Sequence, residues 1–324
     1  MARVKTLRVS VTDRCNLRCV YCMPASGLSL IPHQEILTYE EIERVARAAV
    51  LSGVEKVRIT GGEPLVRMDI IALIRKLAQI PGVRDLPMTT NGVLLAGAAA
   101  ELKKAGLHRV TVSMDTLKPE RFEELARRPR LAAVMAGIEA ARSAGLAPVK
   151  INVVLVPGVN DDEVMEFMRL ARERDLEVRF IERMPIIDRS LGPHCGLTSD
   201  AYVPAAELRK IIEAGLGPLR PTADADPAQP AKVYNLPGGK GKVGFISPMS
   251  EPFCKWCGRM RLTPDGKFRV CLVQDLEVDV KGPLRSGASD DELRALFEKA
   301  VQLKPAQEAA CFAPTNRMMS QIGG

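Results

Sequence analysis

Short β-branched runs alternate with helical periods along the first half of the chain. The strand candidates are Val4–Val11, Lys56–Thr60, Leu86–Thr89, Arg109–Met114, Val149–Val156 and Val178–Ile181. Between them lie amphipathic stretches. Thr38 and Glu41 form a capping box ahead of Ile42, Val45, Ala46, Ala49 and Val50, which share one helical face. Asp161-Asp162-Glu163 places acids at the positive end of a second helix, which carries Val164, Phe167, Met168 and Ala171. Gly53, Gly82, Gly106 and Gly145 close helices just before the next strand. Six strand–helix units in strict alternation predict a parallel sheet, and the periodicity leaves open whether that sheet closes. From Gly215 to Gly239 five prolines and no hydrophobic period predict a long connection. The chain therefore divides into a core over 1–214, a Pro-rich connection over 215–239 and a smaller region over 240–324, with a helix expected over Asp290–Leu303.

The chain has 324 residues, of ordinary globular composition, with 46 Lys and Arg against 39 Asp and Glu, a net charge of +7. No apolar run reaches the roughly 20 residues of a membrane span, and the opening residues lack the apolar stretch of a signal peptide. A cytoplasmic location is the expectation. Aromatic residues are 4% of the chain, with a single Trp, which is poor for stacking nucleic-acid bases; the modest basic excess suits a small polyanion.

Cysteines stand at 15, 19, 22, 195, 254, 257, 271 and 311, and six of the eight form two tight groups. In a reducing compartment this argues for metal or cluster ligation over disulfides. Cys15, Cys19 and Cys22 follow the first predicted strand, and three thiolates can hold three corners of a 4Fe–4S cubane whose fourth iron stays open. Zinc is the competing ligand, although His33 is the only nearby fourth donor. Cys254, Cys257 and Cys271 again supply three thiolates, and here zinc completed by Cys195 or Cys311 competes more strongly. Arg259 and Arg261, two residues apart beside this group, present forked guanidiniums suited to phosphate. Basic residues on separate predicted strands, Arg8, Arg58, Lys150 and Arg179, point to a convergent basic lumen. Cys195 and Cys311 read as small buried hydrophobes, and His33, His108 and His194 suggest no triad.

The spacing Cys15-x3-Cys19-x-Tyr21-Cys22, followed after the second strand by Gly61-Gly62-Glu63-Pro64, resembles the signature of radical S-adenosylmethionine (SAM) enzymes. Over nearly the whole chain the resemblance narrows to the GTP 3′,8-cyclase family of molybdenum cofactor biosynthesis. The pieces that carry it are Thr12–Asn16, Arg58–Leu65, Thr89–Gly92, Ser113–Leu117, Phe180–Pro185 and the second cysteine loop. Gly258 departs from the family's usual Asn, and the stretch after Met184-Pro185 lacks its usual aromatics.

The resemblance implies an incomplete barrel of six βα units, with the C-terminal region closing its mouth. It implies two 4Fe–4S clusters, the first on Cys15, Cys19 and Cys22 and the second on Cys254, Cys257 and Cys271. The first would cleave SAM to a 5′-deoxyadenosyl radical that removes hydrogen from C3′ of GTP, and C3′ would then add to C8; the second would hold guanine. Tyr21, Gly62, Ser113 and Met184 would line the SAM site. Arg8, Lys56, Arg58, Thr89, Lys150 and Arg179 would face GTP, with Arg259 and Arg261 on the second-cluster side. Gly323 and Gly324 would reach into the site and support turnover. The implied partners are an electron donor of the reductase, flavodoxin or ferredoxin type and a downstream cyclic pyranopterin monophosphate synthase, with no nucleic acid and no membrane, for a monomer or homodimer. A radical SAM enzyme acting on peptide or RNA, and a zinc-binding regulatory protein, are the competing readings.

Overall fold

The computed structural model describes residues 3–24, 26, 27, 29–184, 202–223, 229–304 and 317–323. Six strands, β1 (Thr6–Ser10), β2 (Lys56–Thr60), β3 (Pro87–Thr90), β4 (Arg109–Ser113), β5 (Lys150–Leu155) and β6 (Glu177–Glu182), fall on the six predicted runs. Helices α1 (Tyr39–Leu51), α2 (Ile70–Ala78), α3 (Leu95–Lys104), α4 (Pro119–Ala126), α5 (Leu131–Ser143) and α6 (Val164–Arg174) connect them. The Thr38 capping box forms: its hydroxyl accepts from Glu41 N at 3.2 Å, and its own N–H donates to Glu41 Oε2 at 2.7 Å. Helix α1 then buries Ile42, Val45, Ala46 and Ala49 against the sheet.

The later elements are α7 (Ala205–Leu216), β7 (Arg220–Pro221), β8 (Ala231–Asn235), β9 (Lys242–Ile246), β10 (Arg259–Leu262), β11 (Lys267–Arg269), β12 (Glu277–Asp279), α8 (Lys281–Arg285), α9 (Asp290–Gln302) and α10 (Met319–Ile322). The sheet order is β12-β11-β10-β1-β2-β3-β4-β5-β6-β9-β8-β7. Strand β10 lies parallel beside β1, and β9 parallel beside β6, so the six-strand parallel core gains one parallel strand at each edge. Antiparallel β11–β12 and β8–β7 extend it outward. The result is a partial barrel: a parallel sheet with βα crossovers whose two end strands, β12 and β7, are not paired with each other.

Strands β7 and β8 lie inside 215–239, where a plain connection is the sequence expectation. Both residues of β7 are exposed, and Pro221 sits on the outermost strand, where its missing N–H costs no ladder bond. Such an edge carries no hydrophobic alternation for the sequence to show. One continuous apolar core runs from Val4 and Leu7 to Phe268, Leu293 and Phe297. Among the described residues no helix is long and apolar enough to cross a membrane.

Candidate active site

Parallel strands put all their C-terminal ends on one rim, and the first cysteine group sits there, directly after β1. Cys15 Sγ accepts from Leu17 N at 3.4 Å and from Asn91 Nδ2 at 3.6 Å, and Cys22 N donates to Cys19 O at 2.9 Å. The three thiols are near enough to act on one another. Burial and then the neighbouring sulfurs raise Cys19 well above its ordinary value and bring Cys22 to about 12. Such thiols stay protonated until a metal displaces the proton, which suits ligands that charge only on loading. Among the described residues no group of three His, Cys, Asp or Glu side chains is arranged to hold a single metal ion. Three mutually interacting sulfurs on one loop nevertheless match the donor chemistry of a cubane cluster, whose corners stand further apart than the ligands of one zinc.

Gly61 and Gly62 follow β2 at the same rim. A Cβ on Gly62 would lie 2.3 Å from Arg14 O, and one on Gly61 2.9 Å from Thr12 O. Gly62 N donates to Thr12 O at 2.6 Å, and Glu63 N to Arg14 O at 2.8 Å. The paired glycines thus let this turn lie backbone to backbone on the segment that leads into the cysteines. Glu63 is fully buried and accepts from Leu65 N, Thr90 Oγ1 and Asn91 N at 3.0, 2.7 and 2.6 Å. Burial outweighs these bonds and pushes its carboxyl up to about 7. Glu63 therefore ties β2, β3 and the cysteine loop together, since Asn91 reaches both Cys15 and Asn16.

A cavity beside this loop is lined by Cys19, Tyr21, Asn91, Ser113, Asp115 and Phe122, among others. Tyr21 Oη donates to Asp115 Oδ2, and Asp115 Oδ1 accepts from Val154 N at 2.8 Å. Burial lifts Asp115 to about 6. Met184 stands two residues beyond β6, partly buried.

The second cysteine group occupies the opposite end of the same strands. Cys254 and Cys257 precede β10, which runs parallel to β1, and Cys271 follows β11, which runs antiparallel to β10. Burial tends to raise Cys257, but Arg259 and Lys304 outweigh it and hold the thiol near about 7. Arg259 Nε lies 3.4 Å from Cys257 Sγ. Lys304 Nζ donates to Arg259 O at 2.8 Å and Val270 O at 3.0 Å, strapping β10 to the residue before Cys271. At Gly258 a Cβ would stand 2.8 Å from Arg3 O, so this position is closely packed against the chain entering β1.

Between the two groups the strand register lines up a row of guanidiniums. Arg58 pairs with Arg8, Arg8 with Arg261, and Arg261 with Arg269, across β2, β1, β10 and β11. Arg58 Nη1 donates to Thr89 Oγ1 at 3.1 Å and Thr111 Oγ1 at 3.2 Å. Burial, then Arg179, Arg109 and Arg259, lower Arg58 to about 9; burial, then Arg259, lowers Arg261 to about 10. Burial followed by Arg261, Arg58 and Arg259 pulls Arg8 well down.

At the starts of the strands Lys56 Nζ contacts Asp85 Oδ2 at 3.0 Å, and Arg109 pairs with the same carboxylate. Lys150 Nζ contacts Glu177 Oε2 at 2.8 Å, and Arg179 pairs with Glu177 at 2.5 Å. Burial lowers Lys56 and Lys150 to about 8 each. Arg8, Lys56, Arg58, Arg109, Lys150, Arg179, Arg259 and Arg261 thus crowd together, and among the described residues Asp85 pairs with Lys56 and Arg109, and Glu177 with Lys150 and Arg179. The excess of positive charge calls for an anion of several charges.

Helix α10 brings the tail into this cage. Gly323 O accepts from Arg8 Nη2 at 3.3 Å and from Arg261 Nη1, which also donates to Ile322 O at 3.2 Å. Gly323 has φ +68°, and a Cβ there would lie 2.2 Å from Thr60 Oγ1.

The structure thus brings Arg8, Lys56, Arg58, Thr89, Lys150, Arg179, Arg259, Arg261 and Gly323 into one cluster of neighbouring side chains, and places Tyr21, Gly62 and Ser113 at the C-terminal ends of the strands. Gly324, Cys195, Cys311 and His194 lie outside the described residues. Sequence reasoning missed Arg109, Asp85, Glu177, Asp115 and Lys304. Arg109 opens a predicted strand just as Lys56 opens another, so the same strand-start signal marks it. The others gain meaning only from partners distant in sequence.

Fold and site together define a radical SAM protein: a partial parallel barrel with three cysteines on the loop after its first strand. The family profile of the radical SAM superfamily matches residues 9–171, and that described as Molybdenum Cofactor Synthesis C matches 176–310. A protein of Moorella thermoacetica named GTP 3′,8-cyclase is 50% identical over 325 residues, covering 99% of this chain and 98% of that one. One of Pelotomaculum thermopropionicum with the same name is 50% identical over 322 residues, covering 99% of this chain and 98% of that one. The chain belongs to the GTP 3′,8-cyclase family. Among solved structures, Streptococcus suis SuiB bound to S-adenosylmethionine matches with a TM-score of 0.57 at 16% identity, covering 86% of this chain and 63% of that one; at that identity it speaks for the fold alone. The chain therefore spans a little under two thirds of SuiB's length.

Proposed function

We propose that this chain is a radical SAM GTP 3′,8-cyclase, converting GTP to (8S)-3′,8-cyclo-7,8-dihydroguanosine 5′-triphosphate in the first step of molybdenum cofactor biosynthesis. The observation that carries the reading is the cluster of cations on the parallel strands between two cysteine trios at opposite ends of the sheet. Cys15, Cys19 and Cys22 would hold a 4Fe–4S cluster, which with SAM would supply radical hydrogen-abstraction chemistry toward GTP. Cys254, Cys257 and Cys271 hold a second cluster on the guanine side.

The chain's own side chains bind and orient. Burial, and then the positive charge of neighbours among Arg58, Arg109 and Arg179, lowers the pKa of Lys56, Arg58 and Lys150, and a triphosphate relieves that repulsion, so binding is strengthened by charge already crowded before the ligand arrives. Asp85 and Glu177 hold the cations in place in its absence. Arg259 and Arg261 serve the end of the lumen next to the second trio. Tyr21, Gly62, Ser113 and Met184 form the SAM side, with Asp115 fixing the Tyr21 ring. Gly323 borders the reacting space, where its lack of a side chain lets the backbone pack against Thr60 and Ser10. The reduction that starts each turnover needs an external donor of flavodoxin or ferredoxin type. The product passes to a cyclic pyranopterin monophosphate synthase in the cytoplasm.

Anaerobic reconstitution with iron and sulfide, followed by SAM and dithionite, tests this. GTP-dependent 5′-deoxyadenosine, deuterium transfer from C3′ and a cyclised product of GTP's mass are expected. SAM cleavage indifferent to GTP would overturn the substrate assignment.

A further inference from the structure

The Cys271 loop and the tail are joined by one carboxylate. Arg269 is fully buried and wraps the loop: its Nε donates to Cys271 O at 3.1 Å, and its Nη2 to Leu272 O at 3.4 Å and Asp275 Oδ1 at 2.7 Å. Its Nη1 donates to Glu277 Oε1 at 3.0 Å. The same Oε1 lies 2.7 Å from Arg317 Nε, and Glu277 Oε2 accepts from Arg317 Nη2 at 2.9 Å. Arg317 also grips Asp265 at 3.0 and 2.9 Å, and from there the chain runs through α10 to Gly323.

A buried guanidinium left without counter-charge is costly, so Arg269 must keep its carboxylate partners wherever the Cys271 loop goes. A shift of that loop therefore moves Arg269, then Glu277, then the residue at which the tail enters the site. At the far end of the tail, Arg261, the register neighbour of Arg269, donates to the Gly323 carbonyl. The tail is thus fastened at both ends to groups that flank the second cysteine trio.

We propose that Glu277 is a positioning residue that couples loading of the Cys254, Cys257 and Cys271 site to docking of the tail, so that the tail is seated only when that site is filled. The proposal rests on the reading of that trio as a cluster site.

Hydrogen exchange of amides 318–323, measured on metal-free and anaerobically reconstituted full-length chain, tests it alongside iron counts. Loading of the wild-type chain should slow exchange of these amides by about tenfold, the change expected from gaining one charge-assisted hydrogen bond. The slowing should vanish in Cys254→Ala, which retains the first trio, and in Glu277→Gln and Arg317→Met. Arg317→Met leaves Arg269 its carboxylates and should keep the full iron count. Equal exchange in loaded and metal-free wild-type chain, or slowing that survives both Glu277→Gln and Arg317→Met, overturns the coupling. A loaded wild-type chain with about four irons in place of about eight overturns the cluster reading beneath it, and the iron count tells the two failures apart.

Discussion

Gly323→Ala isolates what the seated tail does. The substitution puts a methyl 2.2 Å from Thr60 Oγ1 and 3.2 Å from Ser10 Cβ, at a φ of +68° that L side chains disfavour. The left-handed backbone costs about 1 kcal/mol and the overpacking about 1–3 kcal/mol, together ~2–4 kcal/mol against the docked tail. That shifts docking by roughly 30- to 700-fold, and most of the population loses the carbonyl contacts to Arg8 and Arg261. The tail packs on the core only locally, so thermal unfolding should move little. GTP-dependent 5′-deoxyadenosine formation should fall at least about tenfold while both iron counts hold. Thr60→Ala clears the steric part but leaves the backbone part, so the double variant Thr60→Ala/Gly323→Ala should recover some of the loss. Gly323→Ala turning over at the wild-type rate, with its tail amides as protected as before, would refute the argument.

Lys150→Met removes one cage cation but leaves Glu177 paired with Arg179, so the fold should survive; the KM for GTP should rise about 10- to 100-fold with kcat little changed, and steady-state kinetics decide it. Gly62→Ala forces a methyl against Arg14 O and should lower stability by about 1–3 kcal/mol, read by denaturant unfolding, with loss of iron from the first trio. The folded chain keeps the Glu63 proton up to about pH 7, whereas an ordinary glutamate loses it near 4.5. Unfolding therefore releases a proton between those values, and metal-free stability should decline as pH rises through that window, by roughly 1–3 kcal/mol. In Glu63→Gln the decline should be shallower, and an equal slope would count against burial as the cause.

The six core strands were legible because each buries a short run with β-branched residues between helical periods, and Thr38 with Glu41 caps α1 as its spacing predicts. Cys15, Cys19 and Cys22 were visible as a group because they share one loop, as were Cys254 and Cys257, whereas Cys271 comes beside that pair only through the β10–β11 pairing. Strands β7 and β8 were not, since an exposed edge rich in proline has no reason to alternate. The acids that organise the cage were also hidden. Asp85 and Glu177 look like ordinary surface carboxylates until β2 to β6 bring Lys56, Arg109, Lys150 and Arg179 beside them. The glycines at 61 and 62 were visible as an approach point, but what approaches them in the structure is the backbone at Thr12 and Arg14.

Strand β1 takes its second neighbour from β10, near the other end of the chain. During synthesis, then, β1 has one open edge until residues 259–262 leave the ribosome, and the guanidinium row cannot form before that. Folding of this sheet is dominated by distant pairings, which slows it and leaves an unpaired strand waiting. Arg8, in the middle of that strand, carries a charge facing the lumen, and charged residues on open edges discourage pairing with other chains. The cation that grips the tail in the finished protein is thus also placed to guard the nascent one against aggregation.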